Sequence, residues 1–425
     1  MAFRLWALAL FPIAALAAGP PTYTKDVAPL LFQHCTVCHR PGEIAPMSLL
    51  TYTEVRPWAK SIAEAVLMRK MPPWDASPEF GHFRNDARLS DSDIALIKEW
   101  VKTGAPEGDR ADLPPAPVYV DGWRNGKPDR IVTLPEPYRI AASGPDEYLD
   151  FTVDPGFTED MWVRMAELRP GNRRVVHHAH VFLEPPAKTG DPAESKKVTV
   201  GASGTPADLP VVNDGCSTPE GGMKPGSKLN ELGSLLASYV PGKGPEVWAD
   251  GIAHRIPAHS RFQFQIHYSH ATGKPETDLT AVGLYFAPAP PLHELHRIDL
   301  HNLLFEIPAG APNQEVTACY TFDKDVELLS YVAHMHLRGK DMLFEAYLPD
   351  GTTRPLLYVP RYRFQWQMKY VNSDPIAIPK GTRIKVTAHF DNSVNNGENP
   401  DSAKSVRWGQ ATVNEMMDGW LEFIE

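Results

Sequence analysis

Arg261 to Ser269 reads RFQFQIHYS, and this alternation decides the fold expected for the larger part of the chain. Phe262, Phe264 and Ile266 fall on one side of an extended backbone, and Gln263, Gln265 and His267 on the other. That period of two belongs to a strand with one buried face. The pattern recurs in AVGLYFAP (281–288) and RIKVTAHFDN (383–392), with turn clusters between such runs. From about Gly126 onward the chain is therefore expected to form all-β sandwiches. FAPAPPLHEL (286–295) is a proline-dense break that divides the region into two domains, 126–288 and 289–425.

Composition agrees. At 425 residues the chain is too long for one ordinary core. Its 42 prolines against 30 glycines, with few long amphipathic runs past about residue 105, favour short strands joined by turns. A formal charge of −10 argues against nucleic acid as a partner, because phosphate binding wants a basic face. Residues 1–18 read as a secretory signal peptide: Arg4, the apolar run LWALALFPIAALA, then Ala15-Leu16-Ala17 before a cleavage site. The run is too short for a membrane anchor and Pro12 breaks it. No later segment is apolar enough to give a stable membrane span, so a periplasmic or secreted location is expected.

HCTVCHR contains Cys35-Thr36-Val37-Cys38-His39. C-x-x-C-H is the attachment pattern of haem c, in which both thiols form thioethers and the histidine becomes the proximal iron ligand. A zinc site would need two more ligands at matching spacing, and no second close cysteine pair exists. A redox C-x-x-C does not require His39 and usually opens a helix in a βαβ unit, a pattern missing here. One covalently bound haem c is the reading. Met71 in RKMPPWD is the leading distal ligand, held by a loop that two prolines stiffen; Met47, Met68, His34 and His82 are weaker candidates. Ser90 with Asp93 caps a helix whose apolar stripe is Ile94, Ile97 and Val101, and Gly104 stops it. Residues 22–110 resemble small cytochrome c domains with a Met-Pro-Pro loop before a Trp-containing helix. The resemblance implies a small all-α domain with Met71 as distal ligand. DLPPAPVYVDGW (112–123) marks a semi-rigid linker over 111–125, which suggests that electrons pass from the haem to the β-rich part of the chain. The distant pair Cys216 and Cys319 leaves room for one disulfide in an exported chain.

Histidines cluster in three of the expected strands. In YVAHMHLRG (331–339), His334 and His336 are two apart and share a face, the natural geometry for two ligands of one ion. His267 lies on the polar face of its strand. In VVHHAHVF (175–182), a regular strand would pair His178 with His180, whereas binding by His177 and His178 demands a bulge or a strand end. VNEMMDGWLEF (413–423) carries adjacent Met416 and Met417, of which one can face a cleft. A thioether completing a two-histidine site selects copper.

In this order, His-His, H-Y, H-x-H and E-M, residues 126–425 resemble the copper type II, ascorbate-dependent monooxygenases, the family of peptidylglycine α-hydroxylating and dopamine β-monooxygenases. The resemblance implies two jelly-roll-like sandwiches, each holding one of two copper ions across a cleft. It assigns His177, His178 and His267 to an electron-transfer copper, and His334, His336 and Met416 to the copper where oxygen binds. The implied activity is hydroxylation of a C–H bond of a small-molecule substrate with O2. Electrons would come from the fused haem, itself served by a periplasmic donor. Two departures bear on this. Ala179 and His180 follow the paired histidines, so His180 could replace or assist a ligand. Val332 stands where the peptide-oxidising members carry an arginine, which speaks against a peptide C-terminus as substrate. The alternative is a non-catalytic periplasmic copper and haem protein serving electron transfer or copper binding.

Overall fold

The computed structural model describes residues 19–43, 45–120, 122–144, 146–185, 198–199, 210–217, 222–223, 234–240, 243–270 and 272–425. The expected signal peptide over 1–18 lies outside the described residues. Among them, no helix is long and apolar enough to cross a membrane.

RFQFQIHY forms the strand Arg261–Tyr268, at the centre of a five-stranded sheet between Glu147–Val153 and Val176–Glu184. Phe262, Phe264 and Ile266 are completely buried. They meet Val163, Ala166 and Leu168 from Met161–Arg169, and Val282 and Leu284 from Ala281–Phe286, in one apolar cluster. Burial of each such side chain stabilises the fold by about 1.5–3 kcal/mol. With that face committed, the odd positions Gln263, Gln265 and His267 must point the other way.

The C-terminal half repeats the principle. A four-stranded sheet runs in the order His296–His301, Asp418–Ile424, Val326–His334, Lys369–Ile378. Leu328, Ala333, Leu421 and Phe423 on its inner side pack with Val316, Met342, Phe344 and Val386 of a six-stranded sheet. Cys216 and Cys319 are joined as a disulfide, Cα to Cα 5.1 Å.

The architecture differs from the expected small all-α cytochrome c domain followed by two jelly-roll-like sandwiches. Strand makes up 38% of the structure and helix 12%; among the described residues there is no helical cytochrome domain, and the strands fall into many small sheets in a propeller-like arrangement. Among the described residues those sheets have two to six strands. Register shifts interrupt several of the longer ladders. The N-terminal helices are also short, the longest being Asp91–Lys102, capped by Ser90 and Asp93. The apolar residues of this region do not stay together. Leu31, Ile97 and Trp100 share a local cluster, while Trp74, Ala76 and Phe83 pack into the core of the C-terminal half. A segment that gives away part of its apolar surface cannot close as a separate helical body.

Candidate functional site

The two polar sheet faces look at each other across a cavity of about 310 Å³. His178, His180 and Gln265 line one wall, and His334, Trp420 and Glu422 the other. Ion pairs tie the walls together at one side. Lys369 joins Glu246 of the first wall (2.7 Å) to Glu422 of the second (2.6 Å), and Ser330 donates to Glu422 at 2.6 Å.

The backbone resolves the question posed by VVHHAHVF. His267 lies across the ladder from His178, but the next residue, Tyr268, pairs with Val176. His177 is therefore the extra residue of a β-bulge, released from strict alternation onto the side of His178. One ligand atom each from His177, His178 and His267 lies within 4.8 Å of the others. The Nδ1 atoms of all three are buried without a hydrogen-bond partner. Asp146 holds His267 Nε2 at 2.8 Å, the arrangement that orients a metal-binding imidazole. Buried imidazole nitrogens without partners are costly unless something occupies them, so this set fits a metal ion. Burial lowers the pKa of His177 to about 4, helped by His267 and opposed by Asp146. His178 is driven well below its usual value, first by burial and then by His267. Both are neutral, as ligands must be.

His180 stays on the regular side of the strand, its ring centroid 5.3 Å from that of His178, its Nδ1 also unpartnered. It does not belong to the three-histidine group.

On the opposite wall the rings of His334 and His336 lie 5.3 Å apart, and Met416 lines the cavity with them. His334 Nδ1 meets Gln367 Oε1 at 3.0 Å and His336 Nδ1 meets the Asn414 carbonyl at 3.2 Å, which turns both Nε2 atoms to the ligand role. The backbone amides of His336 and Arg338 donate to Glu415 at 2.8 and 2.7 Å, fixing Met416 beside the histidines. Two imidazoles with a thioether suit copper, and the sulfur suits Cu(I). Burial lowers His334 to about 4 and His336 to about 3.

The C-x-x-C-H segment packs near the bulged strand. Glu43 is ion-paired with Arg173, four residues ahead of His177, and with Arg40 at 2.7 Å. Tyr119 of the expected linker folds back here, with the Arg40 guanidinium 3.9 Å above its ring. Cys35 and Cys38 are free thiols, and His39 Nδ1 meets the Met47 carbonyl at 3.3 Å, leaving Nε2 as its possible ligand atom. Burial pushes the Cys35 thiol up to about 12, helped by Cys38, which keeps it protonated. Met71 lines a different cavity with Trp74, Leu89 and Pro360, which none of Cys35, Cys38 and His39 lines.

Several residues escaped the sequence reading. Phe364 lies 6.4 Å from His177 and His178 and 5.6 Å from His336, ring to ring. Tyr148 stacks on His267 at 4.1 Å. Nothing in local sequence marks either. Asp299 and His301, by contrast, show the same two-apart spacing as His334 and His336.

No protein-family model and no curated protein matches this chain. Among the solved structures that match are two of infectious bursal disease virus. The Gx strain structure has 10% identity and a TM-score of 0.17 over 69% of this chain and 79% of that chain. The Gt strain structure has 10% identity and a TM-score of 0.15 over 73% and 75%. Neither likeness carries an argument about fold or function.

Proposed function

We propose that this chain is an exported copper-dependent monooxygenase that hydroxylates a C–H bond of a small organic substrate with O2. Its electrons would pass through haem c at Cys35, Cys38 and His39. The observation that supports this reading is a pair of histidine sets of different donor chemistry: three clustered imidazoles, of which His178 lines the cavity, and two imidazoles with a thioether that line it from the other wall. Copper in these sets supplies one-electron chemistry and O2 activation, with a net balance of R–H, O2, two electrons and two protons giving R–OH and water.

The residues have distinct tasks. Asp146, Gln367 and the Asn414 carbonyl fix the imidazoles, so that little reorganisation accompanies a change of charge. Met416 brings the soft donor to the His334 side. Phe364 and Trp420 exclude water between the walls. The cavity volume suits a small molecule. Arg173 and Glu43 hold the C-x-x-C-H segment to the strand that carries His177.

Elemental analysis of the purified full chain should return two coppers to one iron. Zinc in the histidine sets would remove the reading. Rapid mixing of protein reduced at the haem should show copper-dependent haem oxidation. Oxygen-dependent product formation that survives Met416→Ala and His334→Ala would show that these ligands do not carry the reaction and would overturn the reading.

A further inference from the structure

We propose that Asp299, His301 and Asp418 form a further divalent-cation site, of zinc type, separate from the two histidine sets. Asp299 and His301 lie two apart on the edge strand His296–His301 and share a face, and Asp418 sits directly across the ladder from His301. One ligand atom from each lies within 4.8 Å of the others. This is not a solvated acidic patch. His301 is 5% exposed and Asp418 2%.

A second observation points to a ligand. His301 Nε2 and Asp299 Oδ1 are both buried without any hydrogen-bond partner. Were the cluster only an imidazolium paired to a carboxylate, one imidazolium N–H and one carboxylate oxygen would be left unsatisfied, a loss of several kcal/mol on ordinary magnitudes. A cation among the three would engage these groups instead. His301 Nδ1 meets Asp299 Oδ2 at 3.2 Å, which fixes the imidazole and leaves Nε2 as its ligand atom.

Donor chemistry sets the class of ion. One imidazole and two carboxylates, with no sulfur, suit Zn(II) and do not select Cu(I). Asp299 and Asp418 both line the central cavity, so three protein ligands would leave an open position on the substrate side. Asp418 is also across the ladder from His334, which puts the ion beside the thioether-containing set.

This inference does not depend on the copper reading. In the test, full-length protein freed of metal is loaded with two equivalents of Cu(I), then titrated with Zn(II) against a chromophoric chelator. The expected result is one zinc equivalent, weakened at least tenfold by His301→Gln and by Asp299→Asn with copper content unchanged. In the double variant His178→Ala, His334→Ala, the zinc equivalent should persist, and adding His301→Gln should remove it. Failure to load copper while zinc still binds would overturn the monooxygenase reading and support this one. No zinc in the wild type, zinc indifferent to His301→Gln, or its loss in the double variant would overturn the inference. The double variant keeps all three proposed ligands, so the test survives misfolding of the His301 variant.

Discussion

Trp420 stacks on His334 with ring planes 11° apart and centroids 5.9 Å apart, and the same indole meets His180 of the facing wall at 6.1 Å. One side chain therefore sets the spacing between the bulged strand and the H-x-H strand. Trp420→Leu should lower product formation at least tenfold while both coppers stay bound, because small displacements at a reacting centre are costly in rate. Copper stoichiometry and turnover measured on the same sample check this. Unchanged turnover would reduce Trp420 to a wall.

Glu43 is 8% exposed at its side chain and is shared among Arg40, Arg173 and, at 3.9 Å, Arg124. Arg40 still pairs with Glu43 at 2.7 Å when Arg173 is removed, so the loss is smaller than for a lone buried pair, about 1 kcal/mol. Arg173→Gln should lower the denaturant midpoint accordingly. It should also slow copper-dependent haem oxidation in stopped-flow mixing, with the haem spectrum retained.

Burial holds the pKa of His177 and His334 near 4 and that of His336 near 3. Protons compete with a metal only as pH falls through the folded-state pKa, so copper should be retained from pH 7 to about pH 5. The metal-free protein follows the same sign. Its folded pKa values lie below the unfolded value of about 6.5, so the unfolded chain binds more protons in between. Stability is complete above pH 6.5 and is lost as pH falls toward 4. Copper release centred near pH 6.5 in an equilibrium dialysis series would contradict the burial account.

The Cys216–Cys319 disulfide spans 103 residues, and a loop of that length restrains the unfolded chain by up to about 4.7 kcal/mol. Cys319→Ser should cost roughly 2–5 kcal/mol in urea unfolding and leave the copper content of the folded fraction unchanged.

Much of this was legible in sequence for a physical reason. Alternation in RFQFQIHYS fixes which face His267 takes, because a one-residue slip would expose Phe262, Phe264 and Ile266. Spacing of two likewise placed His334 and His336 together. The bulge at His177 was not legible, since it depends on how Tyr268 pairs across the ladder, a relation between strands far apart in sequence. The expected helical domain failed for a similar reason. The Ser90 cap and the stripe of Ile94, Ile97 and Val101 marked one helix, and the resemblance supplied the rest, but nothing showed that Trp74 and Phe83 would be buried in a core formed by residues from Ile298 onward. Asp146, Phe364 and Trp420 acquire their roles only through such distant contacts.

That sharing of Trp74 and Phe83 makes the N-terminal segment a strap across the C-terminal half. Trp74 meets Tyr370 edge-on at 5.0 Å, Phe83 meets Tyr331 at 6.4 Å, and Arg363 grips Asp75 at 2.7 Å. Each buried aromatic withdraws some 150–250 Å² from water, worth roughly 4–6 kcal/mol as an upper bound. Cutting the chain near residue 111 would therefore not release two working pieces. The β-rich remainder would keep an open apolar socket, and the excised segment would bring unburied tryptophan and phenylalanine into solution. Folding of the N-terminal segment and closure of the distant strand pairs are thus parts of one folding problem, and a failure in either should bring the whole chain to the attention of proteases.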